Sequence, residues 1–161
     1  MAYFVPKKLP LLSPNGYSAK ILQDLFVDGE TVCFLQLSFQ TFVLSAYDNK
    51  IATTLEKILQ EDLVHQKTLA ESIVLLGGKP IFQNTKGVFL GGRNICDATA
   101  LQTMLVADIE LKEKNIIAYK IANAKIENTV LKKILSSILQ DEEFHLQTLK
   151  KIVKNIKSPS K

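Results

Sequence analysis

The sequence predicts an all-α protein, a four-helix bundle with one long crossover between its second and third helices. Glycine and proline concentrate in residues 6–16 and 77–92, which leaves long segments free of helix breakers. Apolar residues recur at helical spacing along those segments. Residues 58–69 and 138–149, which lie 80 positions apart (58 to 138), also repeat each other's pattern, as two equivalent helices would.

Composition places the chain among ordinary globular proteins. Its 161 residues, 47% apolar and 22% charged, are expected to form one domain over 1–161 with a substantial core. The uncharged stretch 31–47 contains too many glutamine, serine and threonine residues for a membrane span and fits a helix buried on several sides. A mild net charge of +4 gives no reason to expect nucleic-acid or membrane binding. Two cysteines and the lack of a secretory signal favour a cytoplasmic protein.

The first half of the chain reads as an extended lead-in followed by two helices. Residues 1–17 carry the turn-forming prolines, and Ser18 is a plausible N-cap for a helix over about 18–47. After a short turn, a second helix covers about 50–76. It ends at Gly77, because glycine readily adopts the left-handed conformation that closes a helix.

The second half begins with a long connection. Residues 78–97 lack helical periodicity and are numerous enough to run the length of a bundle. Asp97 or Thr99 can cap a third helix over about 98–124, and a fourth helix over about 127–156 follows a short turn. The order of short, long and short connections is that of ferritin-like bundles.

The internal repeat contains the clearest chemical signal. Each copy has an acid three residues before a histidine, Asp62 with His65 and Glu142 with His145, and these are the chain's two histidines. Residues three apart share a face of a helix, so each pair can present a carboxylate and an imidazole together. Two such pairs, with one glutamate from each of two other helices, form the ligand set of dinuclear metal sites in four-helix bundles.

The remaining two helices should supply those two glutamates. Glu30 begins the apolar face of the first helix and is expected to point inward. On the third helix, Glu113 lies on the apolar stripe, whereas Glu110 lies beside Lys112 on the side expected to be solvated. The predicted metal ligands are therefore Glu30, Asp62, His65, Glu113, Glu142 and His145.

Four ionised carboxylates inside an apolar bundle require cations, so two divalent metal ions are predicted, and a mixed oxygen and nitrogen ligand set suits iron or manganese. A solvated helix face explains either acid–histidine pair alone, but it does not explain the whole set. Among other polar residues, Gln36 and Gln40 are expected to bond across a subunit interface, and Tyr119 is expected to pack rather than to react.

The segments 17–22, 29–36 and 76–80 resemble small bacterial ferritin-like proteins of the rubrerythrin-like, bacterioferritin-like and manganese-catalase-like kinds. This resemblance covers nearly the whole chain and all six predicted ligand positions. It implies a di-iron or di-manganese centre with redox chemistry on peroxide or dioxygen. Asp62 stands where these proteins usually have glutamate. The chain has no rubredoxin-type cysteine cluster, so a reductive cycle implies an external electron donor.

Three functions follow as hypotheses. The first is a peroxidase-like or catalase-like oxidoreductase. The second is iron oxidation and storage, which requires a hollow shell of many subunits. The third is a non-enzymatic structural or assembly protein that metal staples together. In each case a homo-oligomer, a dimer or larger, is expected.

Overall fold

The computed structural model describes residue 9, residues 12–89 and residues 95–157. Most of the predicted lead-in, the part of the crossover at 90–94 and the C-terminal residues 158–161 lie outside this range. Within it the chain is helical apart from residues before α1, two short turns and the long crossover between α3 and α4, as predicted. The helical segments are α1 (Gly16–Asp24), a π-helical segment (Leu25–Thr31), α2 (Val32–Leu44), α3 (Asn49–Leu75), α4 (Leu101–Lys125) and α5 (Thr129–Lys157).

The first long helix, which consists of α1, the π-helical segment and α2 (residues 16–44), begins earlier than predicted and is not α-helical throughout. Its N-cap is Asn15, whose side-chain oxygen accepts a hydrogen bond from the backbone amide of Ser18 at 2.9 Å, so the expected cap at Ser18 is wrong. The π-helical segment then joins α1 to α2, and the Thr31 hydroxyl donates to the Phe26 carbonyl at 2.6 Å. Single π-helical turns inside α-helices are frequent at functional sites, and this one contains Glu30.

The other helix ends follow local capping chemistry. Asp48 accepts a hydrogen bond from the Ile51 amide at the start of α3, and Gly77 closes that helix with a φ of +84°. Asn128 caps α5, since its side-chain oxygen accepts a hydrogen bond from the Leu131 amide at 3.0 Å. At the start of α4 the cap residue is Ala100, which offers no side-chain hydrogen bond, so neither of the predicted caps is used.

Two apolar layers fill the bundle, one toward each end. The first joins the start of the first long helix to the end of α3, the end of α4 and the start of α5. The second joins α2 to the starts of α3 and α4 and the end of α5. Consequently α3 and α4 run in the same direction, and the crossover between them returns along the bundle. This is the predicted connectivity, and it leaves a polar layer between the two apolar layers.

The crossover is hydrogen-bonded to α1 near its start and to the turn that follows α2 near its end. The Gln23 side chain donates to the carbonyl oxygens of Ile81 at 2.5 Å and Gln83 at 2.8 Å, and the Tyr47 hydroxyl donates to the Thr99 carbonyl at 2.9 Å. Among the described residues, no helix combines the length and apolar character that crossing a membrane requires.

Candidate metal centre

The polar layer brings together five of the six predicted ligands. Each of them is at most 1% exposed, which places a group of ionisable side chains in the middle of an apolar bundle. The first long helix contributes one of these residues, and α3 and α5 contribute two each. They are Glu30, Asp62, His65, Glu142 and His145.

Glu113 is not part of this layer, and the expectation that it points inward is wrong. Its side chain is 48% exposed and accepts a hydrogen bond from Lys150 at 2.7 Å. The preceding residue, Lys112, faces the core instead and is 2% exposed. Neighbouring residues on a helix point about 100° apart, so an error of one position in the inward face exchanges a carboxylate for an ammonium group.

Lys112 lies at the middle of the cluster. Its ammonium group donates to both carboxylate oxygens of Asp62, at 2.7 and 2.9 Å, and to Glu142 Oε1 at 2.7 Å. Burial alone would lower the pKa of Lys112, but the nearby carboxylates outweigh burial and raise it well above its usual value. The same ammonium group counters the effect of burial on Glu142 and keeps that pKa below its usual range.

His65 presents one ring nitrogen to the cluster and the other to a supporting acid. Its Nδ1 lies 3.7 Å from Glu30 Oε2, 3.7 Å from Glu142 Oε1 and 3.9 Å from Asp62 Oδ1. Its Nε2 lies 3.1 Å from Asp141 Oδ2 on α5. Burial lowers the pKa of His65, but the hydrogen bond with Asp141 and the negative charges of Glu30 and Glu142 outweigh burial and raise it to about 10.

His145 repeats this arrangement from the other helix. Its Nδ1 lies 3.3 Å from Glu142 Oε1 and 3.4 Å from Asp62 Oδ1, and its Nε2 lies 2.7 Å from Glu61 Oε2 on α3. Each histidine therefore has a supporting acid on the helix that carries the other histidine. The sequence contained this signal, because Glu61 and Asp141 occupy equivalent positions of the repeat, but no role was predicted for them.

Glu30 is oriented by a residue for which no chemical role was predicted. The Tyr119 hydroxyl, fully buried on α4, donates to Glu30 Oε1 at 2.5 Å. Burial and the Glu142 charge raise the pKa of Glu30. On the next turn toward the cluster, the Asn115 side-chain amide contacts Cys33 Sγ at 3.2 Å and Glu142 Oε2 at 3.4 Å.

A second buried polar group lies one helical turn from Lys112. Asp108 Oδ1 accepts hydrogen bonds from Gln36 at 2.7 Å and Gln40 at 2.8 Å, so these two glutamines bond within the chain and not across a subunit interface as predicted. Gln36 also accepts from the Cys96 amide at 2.9 Å, which ties the crossover to α2. Burial raises the pKa of Asp108 to about 6.

The donor set fits one metal ion, which would share the carboxylates of Asp62 and Glu142 with Lys112. Ligand atoms of Glu30, Asp62, His65 and Glu142 all lie within 4.8 Å of one another, and all four residues are buried. Two of their atoms, Glu30 Oε2 and His65 Nδ1, have no hydrogen-bond partner within the described part of the chain. Buried lone pairs are normally satisfied, and a cation bound between these atoms would satisfy them.

A groove of about 430 Å³ between the first long helix and α4 leads toward this cluster. Its floor includes Gly29 and Asn115, and a Cβ at Gly29 would lie 3.1 Å from Asn115 Oδ1. Because Asn115 also contacts Glu142, the groove and the cluster share one side chain. The groove is large enough to hold a small molecule beside Asn115.

The fold is shared with proteins of known structure. A wild-type manganese catalase from Anabaena, KatB, superposes with a TM-score of 0.86 at 18% identity, covering 96% of this chain and 80% of the catalase. A second structure of KatB, from Anabaena PCC7120, gives a TM-score of 0.83 at 18% identity, with 98% and 82% covered. A Rhodobacter capsulatus bacterioferritin with a metal-free dinuclear site and haem iron gives 0.77 at 18% identity, with 89% and 87% covered.

The sequence itself matches no family model and no curated protein. The structural similarity confirms the predicted ferritin-like bundle.

Proposed function

We propose that this protein binds iron or manganese in the buried cluster and uses the metal for redox chemistry on peroxide or dioxygen. The observation that carries the proposal is the group of four buried ligand atoms from Glu30, Asp62, His65 and Glu142, two of them without a hydrogen-bond partner in the described residues. The fold similarity to a manganese catalase supports the same chemistry.

A bound iron or manganese ion would supply a redox-active centre able to exchange electrons with peroxide or dioxygen. The chain would hold that ion through three carboxylates and the Nδ1 of His65. Asp141 fixes the orientation of the His65 ring through Nε2, and Tyr119 fixes Glu30. Supporting contacts of this kind set the geometry and basicity of metal ligands.

Substrate would enter through the groove above Gly29 and Asn115. The two apolar layers exclude bulk water from the cluster on either side, which strengthens its electrostatic interactions. The sequence contains two cysteines, Cys33 and Cys96, too few for a rubredoxin-type cluster. Peroxide disproportionation needs no outside reductant, whereas a peroxidase cycle here would use an external electron donor.

Iron oxidation and storage is the second candidate, and the bacterioferritin similarity supports it at the level of the fold. It requires a shell of many subunits, so light scattering separates it from the first candidate.

A smaller homo-oligomer, a dimer or larger, is part of our proposal, as is a cytoplasmic location, which the free Cys33 and Cys96 favour. In the third candidate, metal would act as a structural staple without turnover.

The first prediction concerns Glu142→Gln, which removes one ligand charge from the cluster. We expect this variant to bind Mn²⁺ or Fe²⁺ at least ~10-fold more weakly and to lose peroxide turnover, because a ligand contributes at least as much affinity as a supporting residue. Glu143→Gln is the matched control, since Glu143 is the next residue and is 45% exposed. Elemental analysis after loading, and oxygen evolution from peroxide, are the measurements.

Equal metal content and turnover in the two variants would contradict the proposal. Metal bound by the unmodified protein without any peroxide or dioxygen chemistry would leave the staple as the function. In that case the melting temperature should rise on metal addition.

A further inference from the structure

We propose that the Lys112 ammonium group takes the place of one of the two metal ions expected for this fold, so that the centre holds a single divalent ion per chain. This inference rests on the proposed metal binding. Lys112 Nζ lies 2.7–2.9 Å from three carboxylate oxygens, two on Asp62 and one on Glu142. An ammonium group has three N–H donors, so each of them has a carboxylate acceptor.

The two halves of the repeat differ at this point. One half of the centre is Glu30, Asp62 and His65, and its Glu30 Oε2 and His65 Nδ1 lack hydrogen-bond partners in the described residues. In the other half, Glu142 Oε1 accepts from Lys112, which also donates to both oxygens of Asp62. Lys112 enters the cluster from α4, as Glu30 does from the first long helix, so α4 presents an ammonium group where the first long helix presents a carboxylate.

Within the described residues, α4 offers no carboxylate that would complete a second metal site. Glu110 and Glu113 on α4 are both exposed, and Asp108 is engaged by two glutamines. The first ion already shares Asp62 and Glu142 with the buried ammonium group, so a second divalent ion would add two more positive charges at the same carboxylates. Like charges at such distances repel strongly where the dielectric constant is low.

The lysine also has little space into which it could withdraw. The cavity beside it, lined by Cys33, Leu37, Asp108, Leu111 and Lys112, measures about 10 Å³. That volume is roughly the minimum for one water molecule. With its side chain 2% exposed, Lys112 is held in place by packing as well as by charge.

The test counts metal ions in three full-length proteins: the unmodified chain, Lys112→Glu, and Lys120→Glu as control. Lys120 lies two turns further along α4 and is 58% exposed. Each protein is stripped of metal, loaded with Mn²⁺ and measured by elemental analysis and electron paramagnetic resonance, which separates isolated from coupled manganese. We expect one ion per chain in the unmodified protein and the control, and two coupled ions in Lys112→Glu.

Two ions per chain in the unmodified protein would overturn this inference and leave metal binding intact. One ion in a folded Lys112→Glu variant would also overturn it. Metal in Lys112→Glu alone would support the role of the lysine and refute metal binding by the native chain. No metal in any of the three proteins would refute both.

Because Lys112→Glu adds a fourth carboxylate, it could fail to fold without metal. Lys112→Met keeps the unbranched side chain up to the position of Cε and removes the charged group, and Lys120→Met is its control. If the ammonium group replaces a cation, metal-free Lys112→Met melts at a lower temperature than the unmodified protein and gains more from added Mn²⁺. An equal rise in melting temperature on Mn²⁺ addition in all three proteins would overturn the inference.

Discussion

Individual buried charges in this protein are stabilised in pairs across helices. His65 on α3 contacts Asp141 on α5, and His145 on α5 contacts Glu61 on α3. Each contact joins two helices of the bundle while it fixes the ring of a candidate ligand. The effect on Glu61 is visible in its pKa, which the hydrogen bond with His145 lowers. The same contacts therefore set the positions of the histidine rings and the protonation of these side chains.

Asp108 gives a pH-dependent prediction at this scale. Burial raises its pKa from 3.8 to about 6, so its ionisation opposes folding, and the contribution of Asp108 to stability falls as pH rises from about 4 through 6. Asp108→Asn removes this cost and should stabilise the protein by at most about 3 kcal/mol at pH 8, and by less at pH 5. Urea unfolding of the two proteins at both pH values measures the difference. A gain independent of pH would show that ionisation of Asp108 is not the cause.

Among the helices, the first is the one whose geometry departs from a regular α-helix. Its π-helical segment buries six residues of seven, including Glu30, and continues directly into α2. A π turn contains extra residues per turn, so it changes which side chains face the core beyond it. Gly29 in this segment lets Asn115 approach closely, and that contact connects the groove with the cluster.

The end of α3 supplies a prediction at the scale of the element. Gly77 has a φ of +84°, which residues with a Cβ rarely adopt, so Gly77→Ala should destabilise the protein by ~1–2 kcal/mol. Gly16→Ala is the control, because a Cβ there meets nothing within 4 Å. Thermal or urea unfolding checks both variants. Equal stability would mean that the helix end rearranges without cost.

At the scale of the whole molecule, the bundle leaves apolar side chains on its surface. The α2 helix carries no charged residue, yet Phe42 is 75% exposed and Leu35 is 37% exposed. They are seven residues apart and lie on one face of the helix. An uncharged helix with an exposed aromatic residue is suited to contact with a second copy of the chain.

We therefore expect Phe42→Ser to weaken self-association. Removing an exposed phenylalanine from an interface takes away apolar area whose burial drives assembly, so the dissociation constant of the oligomer should rise at least ~10-fold. Val74→Ser is the control, since Val74 is 57% exposed near the end of α3. Sedimentation or light scattering over a range of concentrations measures the shift. An unchanged oligomer would place the interface on another surface.

Much of the centre could be predicted because its residues lie at local spacings. The repeat identified Asp62, His65, Glu142 and His145, since residues three apart on a helix share a face whatever the surroundings. Glu30 was identified from its place on an apolar stripe. The same reasoning failed for Glu113, because α4 exposes Ile117 and Ile121 while it buries Lys112, so its apolar stripe does not mark the inner face.

The sequence by itself determined the order of the helices, the long crossover and the two acid–histidine pairs. Helix-breaking residues, the helical spacing of apolar residues and the three-residue spacing of acid and histidine are all local properties of the chain. The tertiary structure decided that Lys112 and not Glu113 enters the centre, and that Tyr119 holds Glu30. The rotation of α4 about its axis decides which of two adjacent residues faces inward. That rotation results from the packing of all four helices together, which no single segment encodes.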